Sequence, residues 1–317
     1  MTLNADTILV TGGAGAIGGN LVTALLDACE RLIVIDDCSS GRESNLPASD
    51  KIVFHKDTIV NDDLLKKVFA QKIDTVFHLA ANFANQNSVD FPRKDLDVNG
   101  FGTLKLLEAA RDAGVGRFLY TSSSCVYGHR EELLKEDITD FSLDTPYAIT
   151  KLLGERYTTF FNRHYGLPTT IVRYFNTYGP GEYPGKYRNV IPNFMLLALR
   201  GEPLPITGTG EETRDFTFVG DNVACTVALA RCERAVGEIF NIGSGRETRI
   251  IDMARAVNDI TGNTAGVEFK PPRNWDSVKT RRADISKARE TVDYEPATTL
   301  EEGLGALYRW FKDNNIR

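Results

Sequence analysis

Cysteine is scarce and unpatterned. Cys29, Cys38, Cys125, Cys225 and Cys232 are odd in number and include no CxxC pair, which excludes a disulfide framework and a cysteine-based zinc site. The four histidines, His55, His78, His129 and His164, lack the spacing of metal ligands, so no metal is expected. No apolar run approaches the roughly 18 residues of a membrane span, and Met1-Thr-Leu-Asn-Ala-Asp-Thr7 lacks a basic stretch followed by an apolar one. Basic charge is in deficit, with 37 Lys and Arg against 43 Asp and Glu and a formal net charge of -6, which argues against non-specific binding to nucleic acid or anionic membrane. Internal repeats, low-complexity tracts and charge blocks are missing as well. These absences predict a cytoplasmic protein with no membrane, nucleic-acid or metal partner. What remains, 317 residues that are 42% apolar and 25% charged, suits one compound domain or two intimate ones.

Glycine, by contrast, is placed with purpose. Thr7-Ile-Leu-Val-Thr11 is a β-branched run that leads into Gly12-Gly-Ala-Gly-Ala-Ile-Gly18 and then into a helical pattern at Ile17, Leu21, Leu25 and Leu26. Strand, tight turn and helix in this order let Gly12, Gly15 and Gly18 bring the backbone close to a pyrophosphate, with the unpaired N–H groups of the helix start facing it. Arg31-Leu-Ile-Val-Ile-Asp36 is a second strand ending in a carboxylate about twenty residues after the turn, where a ribose 2′-OH contact requires one. Asp36 favours NAD over NADP, and Arg42 keeps a 2′-phosphate reading open. Asp57, after a third strand at Lys51-Ile-Val-Phe-His55, either meets the adenine edge or caps the next helix. Asp74-Thr-Val-Phe-His-Leu-Ala-Ala81 reads as a fourth strand whose small end lets a cofactor lie close, and residues 99–113 as a helix.

The chemistry is expected at two further stretches. Gly116-Arg-Phe-Leu-Tyr-Thr-Ser-Ser-Ser-Cys-Val-Tyr-Gly128 is a buried type of strand opening into hydroxyls at its C-terminal end, where parallel sheets bind ligands; serines there hydrogen-bond a reacting hydroxyl or merely turn the loop. Thr145-Pro-Tyr-Ala-Ile-Thr-Lys151 places Tyr147 and Lys151 on one helix face, with Pro146 suited to the first turn, so that the ammonium favours a phenolate general base. Tyr308 and Lys312 share this spacing in an ordinary amphipathic helix, and only the company of Tyr147 distinguishes it.

In this order and spacing the segments resemble the extended short-chain dehydrogenase/reductases and, within them, the nucleotide-sugar epimerases, over essentially the whole chain. Thr11-Gly-Gly-Ala-Gly-Ala-Ile-Gly18 is similar to the family's TGxxGxxG turn, His78-Leu-Ala-Ala81 to its HxAA strand end, and Asn99 with Gly102-Thr103 to its NxxGT helix start. The resemblance implies NAD contacts from Gly12, Gly15, Ala16, Ile17, Gly18, Asp36, Asp37, Asp57, Thr58, Leu79, Ala80, Ala81, Asn99, Tyr147 and Lys151, and a catalytic set of Ser123, Tyr147 and Lys151. Arg173-Tyr-Phe-Asn176, Arg188-Asn-Val-Ile-Pro192, Leu204-Pro-Ile-Thr-Gly208, Thr213-Arg-Asp-Phe216 and Arg273-Asn-Trp-Asp276 match its substrate segments. They imply nucleotide-sugar contacts from Ser123, Ser124, Asn176, Asn189, Val190, Pro205, Thr207, Arg214, Arg273 and Asp276; Arg281 and Arg282 read as surface charge.

The implied architecture is α/β: a doubly wound Rossmann domain of residues 1–175, rejoined by 217–243, and a smaller nucleotide-sugar-binding domain of 176–216 and 244–317. A homodimer paired through helices near 99–113 and 147–164 is expected. Phe83 stands where relatives carry a polar cofactor contact, and Gly220 where many have an Asp. The implied activity is 4-epimerisation of a nucleoside-diphosphate hexose, of the UDP-glucose/UDP-galactose type, through a 4-keto sugar with bound NAD regenerated. UDP-glucuronate and UDP-N-acetylhexosamine 4-epimerases remain open. A 4,6-dehydratase carries an Asp-Glu pair where this chain has Ser124-Cys125, and a hexuronate decarboxylase a Glu at the Cys125 position. A reductase, or a cofactor-sensing regulator needing no intact catalytic set, completes the alternatives.

Overall fold

The computed structural model describes residues 5–138, 142–271 and 278–317. Its centre is a sheet of parallel strands: β1 (Thr7–Thr11), β2 (Arg31–Ile35), β3 (Ile52–His55), β4 (Thr75–His78), β5 (Arg117–Ser123), β6 (Thr169–Tyr174) and a last strand at Ile239–Ile242. In space the order is Ile239–Ile242, β6, β5, β4, β1, β2, β3. The order reverses at β1, between β4 and β2, and this opens a crevice at the strands' C-terminal ends. The strands are apolar along their length because helices cover both faces, and a sheet buried on both sides has no polar face to alternate with. His78 ties the centre together, its ring nitrogens bonded to the Thr11 and Thr103 hydroxyls at 2.8 and 2.9 Å.

The helix expected over 99–113 begins earlier, at Pro92, and passes through a π-helical stretch at Leu96–Gly102 before Thr103–Asp112. A widened turn of this kind admits an inward side chain that regular spacing would not, and Asn99 fills it, 2% exposed. The helix carrying Tyr147 runs from Pro146 to Tyr165; the Thr145 hydroxyl caps the Ala148 N–H, and Gly166 ends it at φ 71°.

A second cluster gathers the helices Val190–Leu199, Ile250–Thr261 and Leu300–Asp313 with the parallel strand pair Leu204–Thr207 and Val267–Lys270. The stretch around Ala283–Tyr294, expected in the smaller unit, packs elsewhere. Ala283, Ile285, Ala288 and Tyr294 join Val172, Phe240 and Ile242 beside the main sheet. The Tyr294 hydroxyl donates to the Gly243 carbonyl at 2.8 Å, and the Ala283 N–H to Asp215 at 3.1 Å. Burying these apolar residues requires a large apolar face, and the last strand supplies it.

Candidate active site

One cleft of about 1050 Å³ runs from the C-terminal ends of β1 and β2, past the end of β5, to the second cluster. Its floor is the glycine turn. Gly12 has φ 73°, and a Cβ there would lie 2.6 Å from the Ala80 nitrogen; one on Gly18 would lie 2.1 Å from the Gly12 oxygen. Only glycine permits so close an approach of backbone to backbone. Ala16 and Ile17 open the helix that follows, and Leu79, Ala80 and Ala81 complete this wall.

Asp36, at the end of β2, accepts from the Ala14 and Cys38 N–H groups at 2.9 and 2.8 Å. Burial nevertheless pushes its carboxyl up, against those hydrogen bonds. Asp37 lines the cleft beside it. The Arg42 guanidinium is stacked 3.6 Å over the Tyr183 ring. Asp57 lines the cleft with Thr58 and does not cap the next helix: Asn61 is the cap of Asp62–Phe69, and Asp57 accepts from the Asn61 amide at 2.8 Å.

Asn99, expected to contact the cofactor, does not line the cleft. It lies behind the wall, where its carbonyl accepts from the Asn82 N–H at 2.7 Å and its amide donates to Asp95 at 2.9 Å. Its polar atoms are spent inside the protein, so it positions Asn82, which lines the cleft.

At the centre of the cleft Tyr147 and Ser123 line the same wall, Ser123 Oγ accepting from the Cys125 N–H at 3.2 Å, and Lys151 lies one turn along the helix with Nζ 5.8 Å from the Tyr147 ring centroid. Lys151 donates to the Thr121 carbonyl at 2.8 Å. In the protein alone the expected tuning of Tyr147 is outweighed: burial pushes the phenol well above its usual value, Cys125 and Asp95 add to this, and Ser123 opposes it. Burial also brings Lys151 down to about 8, with Asp95 opposing. Full desolvation outweighs the attraction of an ammonium this far from the ring.

Behind Ser123 stands a second layer. Ser122 donates to Glu155 at 2.6 Å, and Arg173 grips the same carboxylate with Nε and Nη2, both at 2.8 Å. Arg173 also lies 4.8 Å from the Tyr127 ring, and the Tyr127 hydroxyl donates to Asn241. These interactions fix the loop that carries Ser123 and Ser124.

Farther out, Asn176, Asn189, Val190, Pro205, Thr207 and Arg214 all line the cleft, as expected of substrate contacts. Arg273 and Asp276 fall outside the described residues. Among the wall residues that sequence reading missed are Arg281 and Glu182. Arg281, expected at the surface, is 7% exposed and donates to the carbonyls of Ser124 and Gly128; no local pattern marks an arginine whose partners lie so far back in the chain. Glu182, 4% exposed, lines the cleft against Asn189, and its isolation from other acidic residues in an apolar-flanked glycine loop was the available sign. Among the described residues no cluster of His, Cys, Asp and Glu could hold a metal.

The residues fit a dinucleotide. The glycine turn leaves room no Cβ would allow, a carboxylate waits at the end of β2, and Asn82 Nδ2, buried in the wall, has no partner among the described residues. The fold and cleft thus define an enzyme that works with a nicotinamide dinucleotide. Residues 8–243 match the NAD dependent epimerase/dehydratase family, and the chain belongs to that family.

Similar proteins span several reactions. A UDP-glucose 4-epimerase of Mycolicibacterium smegmatis is 36% identical, covering 97% of this chain and 99% of its own. A UDP-N-acetyl-alpha-D-glucosaminuronate decarboxylase of Bacillus cytotoxicus is 32% identical over 96% of this chain and 97% of its own. Among solved structures, epimerase Mth375 of Methanothermobacter thermautotrophicus is 50% identical with a TM-score of 0.96, over 98% of this chain and 94% of its own. UDP-glucose 4-epimerase of Thermotoga maritima, solved with UDP-glucose, is 35% identical with a TM-score of 0.92, over 98% and 99%. UDP-glucuronic acid 4-epimerase of Bacillus cereus, solved with UDP-glucuronic acid and NAD, is 33% identical with a TM-score of 0.89, over 97% and 99%.

Proposed function

We propose that the protein interconverts the C4 epimers of a UDP-hexose, of the UDP-glucose/UDP-galactose type. The observation that carries this reading is the end of β5: Ser123 lines the cleft together with Tyr147, and the next two residues are Ser124 and Cys125 rather than a carboxylic acid and a base. NAD, held over the glycine turn with Asp36 at its ribose, would supply the hydride chemistry at C4. Tyr147 takes the C4 hydroxyl proton at its phenolic oxygen and later restores it, and Ser123 holds the same sugar oxygen by a hydrogen bond. Lys151 holds positive charge 5.8 Å from the Tyr147 ring, and the charge of an oxidised nicotinamide would add to it, so that the proton would leave more readily than from Tyr147 in the protein alone. Asn176, Asn189 and Arg214 bind the diphosphate and its sugar side, with Pro205 and Thr207 at the nucleobase; Arg273 and Asp276 complete that assignment.

A second reading, 4-epimerisation of a UDP-hexuronate, is favoured by Arg281, a guanidinium in the cleft wall bonded to the Ser124 and Gly128 carbonyls. Incubation with UDP-, dTDP-, GDP- and CDP-hexoses and with UDP-glucuronate, followed by NMR, separates these readings by the sugar whose C4 inverts. Turnover of none would leave a binding protein.

The protein also acts as a homodimer in this reading. Leu96, Phe101, Ile149 and Phe160 expose 42%, 54%, 52% and 46% of their surface on the two neighbouring helical segments 92–112 and 146–165, an apolar patch that a second copy would cover. Light scattering should give twice the chain mass, and Phe101→Asp should reduce it to one. The cytoplasmic placement rests on five cysteines that are all free thiols; among the described residues no helix is long and apolar enough to cross a membrane.

A further inference from the structure

We infer that Glu182 takes up a proton when the substrate's diphosphate enters the cleft, and that it acts as a positioning residue for Asn189 in its neutral form. This rests on the reading above that the Asn189 end of the cleft holds the diphosphate. Glu182 is 4% exposed yet belongs to the cleft wall. Its Oε1 accepts from the Asn189 side-chain amide at 3.0 Å and from the Asn189 backbone N–H at 3.4 Å. Asn189 is the residue from which the helix Val190–Leu199 starts, and its amide also reaches the Thr177 carbonyl at 3.3 Å. One carboxyl oxygen therefore sets the side chain assigned to the diphosphate.

A carboxylate is the wrong charge to bury beside a phosphate. Burial pushes Glu182 up to about 7, with Arg188 and the Asn189 hydrogen bonds opposing. Arg188 is itself shared, since it donates to the Ser40 carbonyl and feels both Arg42 and Asp36. The helix Val190–Leu199 and the glycine turn 12–19 carry no charged residue. A diphosphate arriving here repels an ionised Glu182 and raises its affinity for a proton further. Protonation from solvent removes the negative charge at Oε2 and makes it an O–H donor, while Oε1 keeps its bonds to Asn189.

The test uses UDP-glucose, whose diphosphate has no proton to exchange near neutral pH, with a Tyr147→Phe protein so that binding is read without turnover. Calorimetry in buffers of differing ionisation enthalpy counts the protons. The expected result is an uptake approaching one proton per site at pH 8 and close to none at pH 6, with affinity weakening towards roughly tenfold per pH unit above 7. Adding Glu182→Gln should leave binding but abolish the uptake and level the pH dependence. Binding at pH 8 without uptake, or equal uptake with and without Glu182, overturns the inference while leaving the diphosphate assignment standing. Failure of UDP-glucose to bind at any pH overturns the assignment and the inference with it.

Discussion

Lys151 stands one helical turn from Tyr147, with its ammonium 5.8 Å from the phenol ring, but its hydrogen bond of 2.8 Å goes to the Thr121 carbonyl at the end of β5. The lysine therefore anchors the helix to the sheet and offers its charge to the tyrosine only across a gap. Tyr147 is left as a buried phenol whose proton affinity burial raises, and an oxidised nicotinamide bound beside it would supply a second positive charge.

Tyr147→Phe should reduce turnover by roughly two to four orders of magnitude with the fold retained. Tyr308→Phe, with the same i, i+4 lysine but on the helix Leu300–Asp313, should keep its activity. Equal behaviour of the two variants, measured by coupled assay and circular dichroism, would displace the active site from the end of β5.

The state of Lys151 predicts a pH limit. Burial lowers it to about 8, so the ammonium is complete well below that pH and is lost as the pH rises through it; kcat/KM should fall in the same window. The residual activity of Lys151→Arg should lack this limb, because a guanidinium stays charged beyond pH of about 12. A limb unchanged in the arginine variant would assign the titration to another group.

Cofactor choice should rest on Asp36. Asp36→Asn removes a charged acceptor at the end of β2 and should weaken NAD binding by about 1.5–3 kcal/mol while narrowing the preference over NADP. Arg42 is stacked on Tyr183, so wild-type protein should favour NAD. Titration with both dinucleotides checks this, and wild-type preference for NADP would refute it.

The Glu155–Arg173 pair is 1% and 2% exposed. Arg173→Met leaves a carboxylate buried alone and should cost about 3–5 kcal/mol in urea unfolding. The double variant Glu155→Leu/Arg173→Met should regain a substantial part, since no unpaired charge remains. A double variant as unstable as the single one would mean that the pair acts through shape rather than charge.

Much of the fold was legible because its signals are local. The β-branched runs at Thr7–Thr11 and Arg31–Ile35 and the glycines between them dictate strand, turn and helix from neighbouring residues alone, and the serines after Leu119 follow from where such a sheet must end. What escaped depends on distant partners. Arg281 looks like surface charge until the carbonyls of Ser124 and Gly128 are brought to it, and Asn99 looks like a cofactor ligand until a π-helical turn directs it to Asp95 and Asn82. The stretch around Ala283–Tyr294 follows the second unit in sequence but finds its apolar partners on the first. The ionisation of Tyr147 is set by burial, which no spacing of residues reports.

If the ketone formed at C4 is reduced again in the same cleft, UDP-glucose deuterated at C4 should give UDP-galactose of unchanged mass with the label still at C4, formed without added NADH and reaching the same mixture from either sugar. Loss of water or carbon dioxide, release of the label, or a stoichiometric demand for reduced cofactor in the mass spectra would contradict it.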